Sequence, residues 1–188
     1  ENADFLLIQP MGDFEMKSFG TEYEHIKKCG RCIFAAFIID NWNDELSPWQ
    51  AKPVWGNESF GGKAEDTLSF VTTELIPKLK EKYLLDDTVK IVIGGYSLAG
   101  LFALWASYQT GVFAGTAAAS PSMWFPGFLP YMKEHEIRSR AVYLSLGDRE
   151  EKTKNPVMRT VGDCIRKAHA YLAGQGTECT LEWNAGNH

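Results

Sequence analysis

Short apolar runs alternate along the chain with stretches of helical spacing, and that alternation predicts a mainly parallel sheet covered by helices on both faces. Phe5-Leu6-Leu7-Ile8 reads as a first buried strand, residues 33–39 as a second and residues 89–93 as a third. Residues 115–119, 141–146 and 180–183 complete a set of about six on the same reading. The last run alternates apolar with polar positions more than the others, which predicts a place nearer an edge.

The helices between them carry their own signals. Leu68, Val71, Leu75 and Leu79 fall on one face of a segment from 65 to 82. Pro77, which has no N–H, is expected to kink or divide that segment. The stretch after Ser97 is apolar nearly all round (Leu98, Leu101, Phe102, Leu104, Trp105), so its helix is expected to be deeply buried. Asn155 can cap the last helix and Pro156 suits its first turn. Met158, Val161, Ile165, Ala168 and Leu172 then form its core stripe, with Gly174 or Gly176 ending it. Ligands of such open sheets gather at the carboxyl ends of the strands, so the loops after residues 8, 39, 93, 119, 146 and 183 are expected around one site.

Composition narrows the field. With 188 residues, 45 % of them apolar, the chain suits one domain, 1–188, with a sizeable core. No run of about 18 apolar residues appears, so no membrane span is expected. The net charge of −5 argues against nucleic acid. Lys78, Lys80 and Lys82, the nearest thing to a basic cluster, read as a solvated helix face. Cys29-Gly30-Arg31-Cys32 is a C-x-x-C, but zinc would need a second close pair, and a redox pair would open a helix. Here the pair leads into a strand, and Cys164 and Cys179 supply no second pair, so ordinary thiols and no metal are expected. The chain begins at Glu1 without an initiator Met or signal-like segment, which reads as a trimmed product. Free thiols point to the cytoplasm.

The decisive feature is Gly95-Tyr96-Ser97-Leu98-Ala99-Gly100, set between a buried strand and a buried helix. A nucleophile elbow needs small residues two before and two after its serine, because the backbone turns sharply there. Gly95 and Ala99 hold those places. The motif alone is weak; its strand–helix context is what the chemistry demands. No Lys-Ser/Thr follows Gly100, so this is not a phosphate-binding P-loop. The fold expected is therefore an α/β-hydrolase with Ser97 as nucleophile.

A serine hydroxyl needs a base, usually His, oriented by a carboxylate, and in this fold the order is Ser, acid, His. His25 lies in a charged helical stretch, His135 between two glutamates, and His169 within the last helix. His188 follows the final strand in Asn184-Ala185-Gly186-Asn187-His188, where the base belongs. It is also the last residue, and an imidazole on a free end would be poorly held, so a further helix beyond it is expected. The acid should follow the fifth strand, where Asp148, Glu150 and Glu151 all stand. Glu150, three residues after the strand-closing glycine as in many hydrolases, is favoured, with the other two as rivals. The oxyanion hole calls for two backbone N–H groups. Leu98 is the first. Pro10 has none to give, so Met11 is chosen as the second, with Gly12 in reserve.

On these residues the sequence resembles the Putative esterase family, which includes enterochelin and other siderophore esterases, esterase D and feruloyl esterases. Ser120-Pro121-Ser122-Met123-Trp124-Phe125, Leu146-Gly147-Asp148-Arg149-Glu150-Glu151 and Gly186-Asn187-His188 carry the likeness beside the elbow, with Trp49, Phe60, Gly61 and Gly62 ahead of the Leu75-Ile76-Pro77 helix. The resemblance implies a serine carboxylic-ester hydrolase without cofactor or metal; some siderophore esterases use a Ser–His dyad. Gln9-Pro10 replaces the family's usual His-Gly, and the antiparallel strands that often precede the first strand are absent, a minimal N-terminus. Tyr96 is expected behind the nucleophile and Trp124 as a pocket wall, while Trp42, Trp49 and Trp55 lie in a segment able to fold over the opening. About 20 residues join the fourth and fifth strands, room for one helix rather than a large cap. A small or polar ester substrate in an open site is expected. An acyltransferase, or a hydrolase-like module that binds without turnover, are the alternatives; labelling of Ser97 separates the last.

Overall fold

The computed structural model describes residues 3–188. Its main sheet has six strands, all paired in parallel: β1 (Phe5–Gly12), β2 (Cys32–Ile39), β5 (Lys90–Tyr96), β6 (Gly115–Ala119), β7 (Ala141–Gly147) and β8 (Glu178–Asn184). The order is β2-β1-β5-β6-β7-β8, so β8 is indeed an edge strand. The chain steps from β1 outward to β2 and then returns to the other side of β1 at β5. That reversal opens a crevice at the carboxyl ends of β1 and β5. A two-stranded ribbon, β3 (Gln50–Ala51) with β4 (Phe60–Gly61), lies in the segment after β2 and was not expected. Two residues per strand leave no periodicity to read.

β1 runs four residues past its expected end and includes Pro10. The Lys90 N–H donates to the Asp4 carbonyl, which fixes the even-numbered residues of β1 as those whose backbone groups face β5. β1 pairs with β5 only as far as Ile8, but with β2 as far as Gly12. Pro10 therefore points its missing donor where no partner strand runs, and the ladder loses nothing.

Helices α1 (Phe19–Ile26) and α2 (Trp42–Glu45) follow β1 and β2. The segment that Pro77 was expected to divide is α3 (Ala64–Phe70), a π-helical turn (Val71–Leu75) and α4 (Ile76–Lys82). The wider turn ends where the proline would otherwise meet a carbonyl one turn back. In α5 (Leu98–Gln109) every residue from Leu98 to Tyr108 is buried. Helix α6 (Phe128–Glu134) joins β6 to β7. In α7 (Val161–Gly174) the stripe of Val161, Ile165, Ala168 and Leu172 is buried as expected. Met158 leaves that stripe. It sits in a 3-10 turn before α7, where the Asn155 carboxamide accepts the Val157 and Met158 N–H groups.

Buried side chains of β1, β5, β7, α5 and α7 form one core. Among the described residues no helix is long and apolar enough to cross a membrane. All four cysteines are free, and Cys32 opens β2.

Candidate active site

Six loops meet at the carboxyl edge of the sheet, one after each strand. After β5 the chain turns so sharply that Ser97 takes φ 57° and ψ −121°, a conformation side chains rarely adopt. A Cβ on Gly95 would run into the Ala99 backbone, so only glycine permits this bend. Ser97 N–H donates to the Ala119 carbonyl (3.0 Å) and its own carbonyl accepts the Ser122 N–H (3.0 Å), fixing the bend to the loop after β6. Leu98 opens α5, so its N–H has no acceptor within the helix.

The Ser97 hydroxyl lies 2.8 Å from His188 Nε2, and His188 Nδ1 lies 2.8 Å from Glu150 Oε2. The carboxylate can only accept, so Nδ1 carries the hydrogen and Nε2 presents its lone pair to the hydroxyl. Glu150 is buried, and its other oxygen accepts the Ser120 hydroxyl (2.6 Å) and the Gly147 N–H (2.8 Å). Burial pushes its carboxyl up, but the hydrogen bonds from His188, Ser120 and Gly147 together outweigh it and leave the pKa below the ordinary value.

The rival carboxylates stand elsewhere. Asp148 accepts the Gly186 N–H at 3.0 Å and so holds the loop that carries His188, while Glu151 pairs with Arg166. The other histidines are also accounted for: His25 and His135 are exposed, and His169 meets the Cys179 carbonyl. Ser120 and Asp148 escaped sequence reading as supports, because hydroxyls and loop carboxylates carry no pattern that marks them.

One expectation is corrected. Met11 is odd-numbered, so its N–H turns toward β2 and away from Ser97. Gly12, the reserve, faces the crevice instead, and its N–H donates to the Glu15 carboxylate at 2.8 Å. The spacing of three between Gly12 and Glu15 is that of a helix-capping acid, a signal present in the sequence.

A cavity of about 870 Å³ opens beside Ser97, walled by Phe14, Trp42, Trp55, Phe60, Tyr96 and Trp124. A smaller one of about 430 Å³ lies across Trp124, Met158 and His188, with Arg149 and Lys152 on its wall. Trp49 does not reach either; it packs on Phe125, Phe128 and Tyr131 and donates to the Pro126 carbonyl. No group of three or more metal-ligating side chains occurs among the described residues.

Residues 35–179 match the model of the Putative esterase family. The chain belongs to that family. It is therefore a carboxylic ester hydrolase. The esterase is similar in fold to the siderophore hydrolase EstA of Aspergillus nidulans (18 % identity, TM-score 0.73, covering 99 % of this chain and 76 % of that one). It is also similar to the enterobactin esterase FES of Shigella flexneri (21 % identity, TM-score 0.69), covering 98 % of this chain and 48 % of that one. An IroE-like serine hydrolase of Shewanella oneidensis matches at 15 % identity and TM-score 0.72, over 98 % of this chain and 64 % of that one. No curated protein matches the esterase in sequence.

Proposed function

We propose that the esterase hydrolyses its substrate through a covalent serine intermediate. His188 Nε2 takes the Ser97 proton as the oxygen attacks the ester carbonyl, and Glu150 holds the imidazole and balances its developing charge. The Leu98 and Gly12 N–H groups receive the oxyanion. Collapse expels the alcohol, which leaves with the proton from His188. Water then repeats the sequence on the acyl-enzyme, giving the acid and free Ser97. The observation that carries this reading is the continuous relay Ser97–His188–Glu150, with both links at 2.8 Å.

The substrate we assign is an ester with a flat aromatic portion. The large cavity supports this with six aromatic rings on its wall, Tyr96 and Trp124 among them. Arg149 and Lys152 on the smaller cavity suit a polar or anionic portion on the other side of the scissile bond.

A fluorophosphonate probe tests the mechanism. It should label the wild type and not Ser97→Ala, and failure to label the wild type would refute the covalent step. Steady-state hydrolysis of acetyl, butyryl and feruloyl esters and of a catecholate lactone tests the substrate. The aromatic esters should lead in kcat/KM, and preference for acetyl would overturn that assignment.

A further inference from the structure

Glu15 stands on the wall of the same cavity as Ser97 and Leu98, with its carboxylate on the one β1 N–H that faces the crevice. We propose that Glu15 is a built-in competitor for the second oxyanion donor, a resting-state plug that must leave before turnover. The inference rests on the serine mechanism proposed above.

A carboxylate on the Gly12 N–H makes a charge-assisted bond of the kind an oxyanion would make there. Both cannot hold one donor. A fixed negative charge beside the carbonyl would also oppose the charge that develops on its oxygen. So the capped form retains Leu98 alone as a donor.

Release is structurally easy. Glu15 ends the 3-10 turn Asp13–Glu15, whose Phe14 is 69 % exposed. Its ring meets Trp42 edge to face, an aromatic contact that must yield as the turn moves. Glu22, fixed by Gln9 and Ser18, lies close enough for its carboxylate to repel that of Glu15. When the competent form is only part of the population, the observed rate is scaled by its fraction.

The test compares wild type, Glu15→Ala, Glu15→Gln and Gly12→Pro in the intact chain. Gly12 has φ −79°, which suits the proline ring, and the added carbons meet only the Phe14 ring, the end of an exposed side chain that can swing off Trp42. Glu15→Ala should raise kcat/KM about tenfold and tighten a trifluoromethyl ketone inhibitor by the same factor, as expected for loss of one charge-assisted competitor. Glu15→Gln, which keeps a neutral acceptor, should gain less. In Gly12→Pro the donor is gone, so adding Glu15→Ala should bring no gain. A loss or no change in Glu15→Ala, with Ser97 still labelled by fluorophosphonate, overturns the proposal, as does an undiminished gain in the double variant. Should Gly12→Pro fail to fold, the inhibitor affinity of Glu15→Ala decides alone. Absence of labelling in the wild type would refute the serine mechanism instead.

Discussion

The imidazole of His188 lies stacked on the ring of Tyr96, with centroids 4.8 Å apart and planes 28° from parallel. Tyr96 directly precedes Ser97, so the strand that ends in the bend also supplies a platform for the ring facing it. Two hydrogen bonds fix the imidazole edge, and the stack fixes its face. Tyr96→Ala should lower kcat about tenfold, the upper end for an aromatic pair, while Tyr96→Phe stays near wild type. Steady-state kinetics with circular dichroism as a folding control decides it; equal losses in both variants would assign the effect to the hydroxyl.

Ser97 holds a backbone conformation that costs an L-residue about 1–3 kcal/mol. Ser97→Gly should therefore raise unfolding stability by about 1 kcal/mol while abolishing turnover. Urea unfolding reads the first and ester hydrolysis the second. Ser97→Ala, which keeps the strain, should show no such gain.

Glu150 links stability to pH. Its folded pKa lies below the usual 4.5, so the unfolded chain takes up this proton first as the solution is acidified. The stabilisation is complete above that value and is lost as pH falls through the folded pKa. Urea midpoints followed from about pH 7 to about pH 3 should fall less steeply in Glu150→Gln than in wild type. The same variant should lose about 10²- to 10⁴-fold in kcat, because the imidazole loses its counter-charge and its fixed tautomer. Ser120→Ala, one hydrogen bond poorer, should bring the folded pKa nearer the ordinary value, so the acid-linked loss of stability is smaller than in wild type and is complete at a higher pH.

Tyr108 is buried at the end of α5, and its hydroxyl is the one buried side-chain polar atom without a hydrogen-bond partner among the described residues. Burial, then the neighbouring Tyr131 and Cys179, pushes its phenol well above the ordinary range, so it stays neutral. Leaving such a group unpaired costs about 1–3 kcal/mol, and Tyr108→Phe removes the group while keeping the ring. The variant should be more stable by about 1 kcal/mol, read as a raised Tm; a lower Tm would mean that the hydroxyl has a partner.

The six strands of the main sheet, the buried helix after Ser97 and the bend itself were legible from residue order, because periodicity and the small residues Gly95 and Ala99 act within a few positions. Tertiary structure decided what depends on distant segments. Ser97 and His188 are 91 positions apart, and only the order of β5, β6, β7 and β8 brings their loops together. Among three adjacent carboxylates, burial against Gly147 and Ser120 sets Glu150 apart, whereas Asp148 and Glu151 turn to other partners. Residue order favours Met11 over Gly12 only because it comes first after Pro10, which is no physical reason. Which N–H faces Ser97 follows from the parity of β1 against β5, and strand register exists only once the sheet has formed.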